Sequence, residues 1–136
     1  MSTATATAGT SIDLVRSMFE AFGRGDIAYI LAGLTPDCTW ICPGECPYSG
    51  TYSGPEGAGA FFQKLTATEQ ITRFEPREYF TSGDDVMAFG YEEGRSIATG
   101  KTATSHWAML FSIRGGKVSH WQTHFDTAAY ARAHQA

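Results

Sequence analysis

Between Ala103 and Phe125 two alternating runs flank Arg114-Gly115-Gly116, and that pattern permits little except a long antiparallel hairpin. Side chains alternate across a strand with period two. A three-residue loop, a type I turn closed by a left-handed glycine, pairs Ile113 with Lys117 and thereby sets both faces. Ser105, Trp107, Met109 and Phe111 then share one face with Ser119, Trp121, Thr123 and Phe125, while His106, Leu110, His120, Gln122 and His124 take the other. In this register Met109 lies opposite Trp121, Trp107 opposite Thr123, and His106 opposite His124. An aromatic, sulfur-bearing face of this extent needs a core or a ligand to cover it.

The segments before the hairpin supply elements to do the covering. From Ser11 to Arg24 the apolar residues Leu14, Val15, Met18, Phe19 and Phe22 fall on one helical face, with Thr10 or Ser11 as cap. Gly25 stops that helix, and Asp26 caps a second that runs from Ile27 to about Gly33 before the turn Thr35-Pro36-Asp37. Cys38 to Cys42 is a short β-prone run, and Pro43-Gly44 opens a loop rich in Gly, Ser, Pro and Tyr that extends to Gly54. Pro55 begins a third helix with Ala58, Phe61, Phe62 and Leu65 as its apolar stripe. The rest is β until the end: Ile71–Thr81, broken or bulged near Pro76, then Val86–Ala98, then the hairpin. Asp126 caps a short closing helix. Helices followed by an antiparallel meander predict an α+β layer fold, a sheet curled over helices.

A chain of 136 residues is in the range of one domain, expected over residues 11–134 with 1–10 as a disordered tail. The net charge is −4 and the ten basic residues are scattered, so nucleic acid is not an expected partner. No apolar run reaches the roughly 20 residues that span a bilayer, and the start lacks a secretory pattern, which predicts a soluble, cytoplasmic protein without a membrane partner. Cys38, Cys42 and Cys46 recur every four residues, a spacing unlike cluster-binding runs, and an odd count fits free thiols in a reducing compartment.

Three stretches carry a resemblance: Ala21-Phe22-Gly23-Arg24-Gly25-Asp26, Cys38-Thr39-Trp40-Ile41-Cys42-Pro43-Gly44, and Tyr48-Ser49-Gly50-Thr51-Tyr52-Ser53-Gly54. With the ending Gly116-Lys117-Val118 through His124-Phe125-Asp126-Thr127-Ala128-Ala129, their order resembles the NTF2-like, SnoaL-like superfamily across nearly the whole chain. The resemblance implies an NTF2-like cone, a strongly bent antiparallel sheet wrapped around N-terminal helices. It also implies a homodimer through the outer sheet face. Ketosteroid isomerases, polyketide cyclases, epoxide hydrolases and scytalone dehydratase-like enzymes share this fold, so fold alone does not assign chemistry. The ketosteroid isomerase acid/base positions correspond to Cys42, Met18 and Met109, and the cyclase Asp to Thr123. No relative's acid/base set is carried over intact.

The expected ligand is therefore a small apolar or aromatic molecule, bound without a cofactor by Trp40, Cys42, Tyr52, Trp107, Met109, Trp121, Thr123 and Phe125. Glu92 and Glu93, one from each face of their strand, are the carboxylates expected to reach the interior, and with His106 they form the catalytic shortlist. Such a protein is a cofactor-independent isomerase, cyclase, dehydratase or hydrolase, or else a non-catalytic binding or dimerisation module. His106, His120 and His124 offer no evident tetrahedral set, so no metal is expected. If the outer face is an interface, its histidines make assembly pH-sensitive. Light scattering should then report a different oligomer at pH 5 than at pH 8, and an unchanged mass would remove that role.

Overall fold

In the computed structural model residues 8–136 are described. The elements in chain order are α1 (Ala8–Gly23), α2 (Ile27–Ala32), β1 (Leu34–Cys42), β2 (Gly50–Ser53), α3 (Gly54–Thr68), β3 (Glu69–Ser82), β4 (Asp85–Ser96), β5 (Thr102–Arg114), β6 (Lys117–His124) and α4 (Thr127–Ala133). Helix α1 starts three residues before Ser11, taking in the end of the expected tail; residues 1–7 of that tail lie outside the described residues. Asp26 and Asp126 cap α2 and α4 as the sequence suggests, accepting from the main-chain N–H of Tyr29 (3.1 Å) and Ala129 (3.0 Å).

One curled six-stranded sheet has the order β2-β1-β6-β5-β4-β3. The expected meander is antiparallel from β3 to β6, but β1 runs parallel to β6, because the chain enters the sheet from the helices and returns to it only at its end. Two stretches differ from the sequence reading. Thr35-Pro36-Asp37 lies within β1, where a register shift between Leu34 and Thr39 absorbs the proline. The polar loop before α3 contains the edge strand β2, whose Gly50–Ser53 pair with Thr39–Cys42. Thr51 and Tyr52 are too short a β-prone run to mark a strand between glycine and serine, and pairing with β1 supplies it.

The hairpin turn is tighter than expected. Gly115 and Gly116 alone form it, both with positive φ (59° and 76°), and Arg114 pairs with Lys117. Ser119 is then left over as a bulge, since Ile113 pairs with Val118 and Ser112 with His120. Together these displace the distal register by two residues: Met109 faces Thr123, Phe111 faces Trp121, and Ala108 faces His124. His106 is thus not opposite His124. Beyond the bulge a shift of two returns side chains to their expected faces, so Trp107 and Trp121 are buried inside. Between turn and bulge the shift is one, and Val118, buried opposite Ile113, takes the inward place expected of Ser119.

Helix α1 lies under the concave face and drives Phe19 into it, 5.6 Å from Phe74, 5.5 Å from Trp107 and 5.6 Å from Phe111 between ring centroids. Trp107 stacks on Phe74 at 5.1 Å. The inward row of β4, Val86, Ala88, Gly90, Glu92, Gly94 and Ser96, is mostly small, and this lets the sheet bend over its contents. A Cβ at Gly90 would come 2.3 Å from the Trp107 ring and 2.4 Å from the Glu75 carbonyl oxygen. Neither can retreat. Gly90→Ala is expected to cost about 1–3 kcal/mol by overpacking, read as a lower urea midpoint at unchanged slope.

Candidate functional site

The inward rows of β1, β4, β5 and β6 and the undersides of α1 and α3 enclose a cavity of about 90 Å³. Its walls are aromatic. Trp40 of β1 and Trp121 of β6 are neighbours across the parallel pair and stack at 4.3 Å with ring planes 20° apart, while Phe61 and Phe62 of α3 close over them. At one end the lining turns polar, with Glu69, Glu92, Tyr48 and Thr123.

Glu69 is the first residue of β3 and only 5% exposed. Its Oε1 accepts from the Tyr48 hydroxyl at 2.8 Å and lies 3.0 Å from His134 Nε2. Its Oε2 has no partner. Gly94 on the adjacent β4 strand makes the room, since a Cβ there would come 2.9 Å from that oxygen. Tyr48 is presented by a tight loop in which Cys46 N–H donates to Ser49 Oγ (2.9 Å) and Ser49 Oγ donates to the Pro43 carbonyl (3.0 Å). Helix α4 contributes from the other side: its C-cap is His134, and Tyr130 donates to the Glu92 main-chain carbonyl at 3.4 Å.

Glu92 sits on β4 between the two inward glycines, 8% exposed. Burial pushes its carboxyl up to about 7, the neighbouring Glu69 adds to the rise, and the Tyr130 phenol opposes it. Burial and Glu69 raise the Tyr48 phenol, and burial and Glu92 raise that of Tyr130, so both stay protonated donors. Burial likewise pushes the Cys42 thiol up to about 12 and raises Cys38 and Cys46, which leaves all three as unreactive free thiols. Among the buried polar atoms without a hydrogen-bond partner, Trp40 Nε1, Glu69 Oε2 and Thr123 Oγ1 belong to residues lining this cavity.

Of the residues singled out in the sequence, Trp40, Cys42, Glu92, Met109, Trp121, Thr123 and Phe125 line the cavity. Four others do not. Trp107 is consumed by the packing of Phe19 and Phe74. Tyr52 covers the wall from behind, its hydroxyl donating to the Tyr48 carbonyl at 2.9 Å and its ring edge-on to Phe61. Glu93 turns outward, where it accepts from the Tyr91 hydroxyl at 2.8 Å and lies 3.4 Å from Arg73. His106 pairs with Tyr91 across β4 and β5 and is also outside, its ring 5.3 Å from that of Tyr91. Strand alternation requires this, because Glu92 inward puts residues 91 and 93, and the partner of 91, on the opposite face. His120, Gln122 and His124 form a hydrogen-bonded row on that outer face, and no group of three or more metal-ligating side chains occurs among the described residues.

Glu69 and His134 are polar residues that sequence reasoning missed, whereas Tyr48 lies on the loop whose phenols the sequence marks as donors or covers. Glu69 and Ile71 point inward, but a bulge at Thr72 reverses the alternation so that Phe74 also points inward, and a strand read with constant period hides the relation. His134 follows a short helix whose docking no local pattern reveals. Two inward carboxylates therefore replace the expected Glu92 and Glu93, and the second is Glu69.

The family model of the SnoaL-like domain matches residues 15–121. The crystal structure of an NTF2-like protein from Burkholderia xenovorans is 33% identical and superposes with a TM-score of 0.86, covering 98% of this chain and 100% of its own. TerC, co-crystallised with polyporic acid, is 29% identical with a TM-score of 0.83 over 93% of this chain and 99% of TerC. The uncharacterised protein Rv0034 of Mycobacterium tuberculosis is 28% identical over 108 residues, 79% of this chain and 82% of its own.

Because Glu92 titrates at about 7 when folded against an ordinary value of 4.5, the folded chain holds a proton that the unfolded chain releases. The stability this contributes is fully present below 4.5 and is lost as pH rises through 7, on the order of 3 kcal/mol. Glu92→Gln, uncharged throughout, is expected to gain on the wild type in urea denaturation as pH is raised from 5 to 8. A constant difference between the two would contradict the assignment.

Proposed function

Since the chain belongs to the SnoaL-like domain family, we propose that its cavity takes up a small, largely apolar aromatic molecule and that Glu92 moves a proton at it without a cofactor. The carrying observation is an aromatic hollow, lined also by Glu92, in which three buried polar atoms stand without partners. Leaving such an atom unsatisfied costs about 1–3 kcal/mol, which a correctly placed ligand atom restores. A carboxyl that titrates near neutrality serves equally as acid and as base. In a site with little water its charge and hydrogen bonds act at full strength, so one such group can support isomerisation, cyclisation, dehydration or hydrolysis. TerC, similar over nearly the whole chain, was co-crystallised with a small molecule, and this supports the ligand reading.

The size of the hollow narrows the occupant. At about 90 Å³ it is smaller than the roughly 150 Å³ that admits benzene in a rigid apolar core. A ligand of two fused rings enters only as lining side chains shift. The same reading sets a second copy of the chain against the outer sheet face, where the exposed Phe80 and Phe89 meet edge-on at 5.7 Å. It also keeps the protein in the cytoplasm, in accord with three unpaired thiols.

A non-catalytic binding module is the second reading, favoured by Met18, Cys42 and Met109, which line the cavity without offering an acid or base. The ketone 2-tetralone separates the two. Exchange of its α-protons in deuterated buffer, followed by NMR, is expected to run faster with the protein and to fall about 100-fold with Glu92→Gln. Binding without faster exchange establishes the non-catalytic reading, and neither binding nor exchange overturns both.

A further inference from the structure

The polar end of the cavity is unbalanced between donors and acceptors. Both phenols there are already spent, Tyr48 on Glu69 Oε1 and Tyr130 on the Glu92 carbonyl. The basic side chain in contact with the pair, His134, has its Nε2 on Glu69 Oε1. No lysine or arginine is among the lining residues. What remains for a ligand is Glu69 Oε2, a side chain 2% exposed with that oxygen unpartnered, together with the Glu92 carboxyl and the Thr123 hydroxyl. Trp40 Nε1 is an unspent donor and carries no charge, and the Thr123 hydroxyl can donate as well as accept.

Resting on the reading of the cavity as a ligand site, we infer that its polar end selects a hydrogen-bond donor without negative charge. The occupant is a flat aromatic phenol or enol, or an aromatic amine, in preference to a carboxylic acid. A neutral O–H or an ammonium N–H satisfies Glu69 Oε2, whose unpartnered burial is otherwise costly. An anion at the same place meets two carboxyls in a medium of low dielectric, with no free cation in the lining to offset it. An acidic ligand enters only with its proton retained or passed to Glu92. The aromatic walls favour the same class, since ring faces attract cations and repel anions. Gly94 belongs to this device, because any side chain there would displace the free oxygen.

Four probes that share one ring frame test the selection: naphthalene, 2-naphthol, 2-naphthoate and 2-naphthylmethylammonium, titrated at pH 8 against the fluorescence of the stacked Trp40 and Trp121. The expected result is 2-naphthol or the ammonium, or both, binding at least tenfold tighter than naphthalene, with 2-naphthoate weaker than naphthalene. Which of the two donors leads distinguishes a hydroxyl from an amine ligand. In Glu69→Gln, or in Glu92→Gln if the first does not fold, the donor preference should shrink to below threefold. Naphthoate binding as tightly as naphthol, or a donor preference absent from the wild type, overturns this inference while leaving the ligand site intact. Failure of all four probes to bind overturns the ligand site and the inference together.

Discussion

The alternation of side chains along β4, β5 and β6 is the constraint on which the rest of this structure depends. Once the two-glycine turn and the Ser119 bulge have set the register, every second residue is committed to the concave face. That single parity buries Trp107, Met109, Phe111, Trp121 and Thr123 together and sends His106, His120 and His124 outward. Through the β4 pairing it also decides that Glu92 is inside and Glu93 outside. An error of one residue would exchange the indoles for the imidazoles and leave α1 with nothing apolar to pack upon.

Against this apolar background the buried carboxyls are costly and must be supported. Glu69 meets the cost on one oxygen, through Tyr48 and the proximity of His134, and Glu92 meets it by holding its proton to about 7. The supporting groups come from distant parts of the chain: Tyr48 from the loop before β2, and Tyr130 and His134 from α4 and its cap. Closing the polar end therefore requires the whole fold to be assembled. The two inward glycines of β4 serve the same arrangement, one accommodating Trp107 and the other the Glu69 carboxylate.

Much of this architecture was legible in the sequence because it rests on local signals. The apolar stripe of α1, the Asp26 and Asp126 caps and the period of the hairpin all operate within a few residues and are found where their chemistry places them, and the glycines mark the turn although it is one residue shorter than expected. The edge strand β2 was not legible, because its polar residues are ordered by a neighbour rather than by their own propensity. The site divides in the same way. Met109, Trp121, Thr123 and Phe125 share a face by alternation, and the resemblance turns that face, with Trp40 and Cys42, toward the cavity. Trp107 satisfies the pattern yet is taken up by Phe19 and Phe74, and the choice of Glu92 over Glu93 needed the strand pairing.

The sequence by itself determined the α+β class, the curled sheet, and which face of the hairpin is apolar, since these follow from periodicity and turn chemistry. Tertiary structure alone decided that Glu69 and Glu92 share one cavity. The bulge at Thr72 resets the alternation of β3, and α4 brings Tyr130 and His134 over that end from far along the chain. Contacts of this kind depend on how strands are registered and helices docked in space, and no local pattern of residues encodes them.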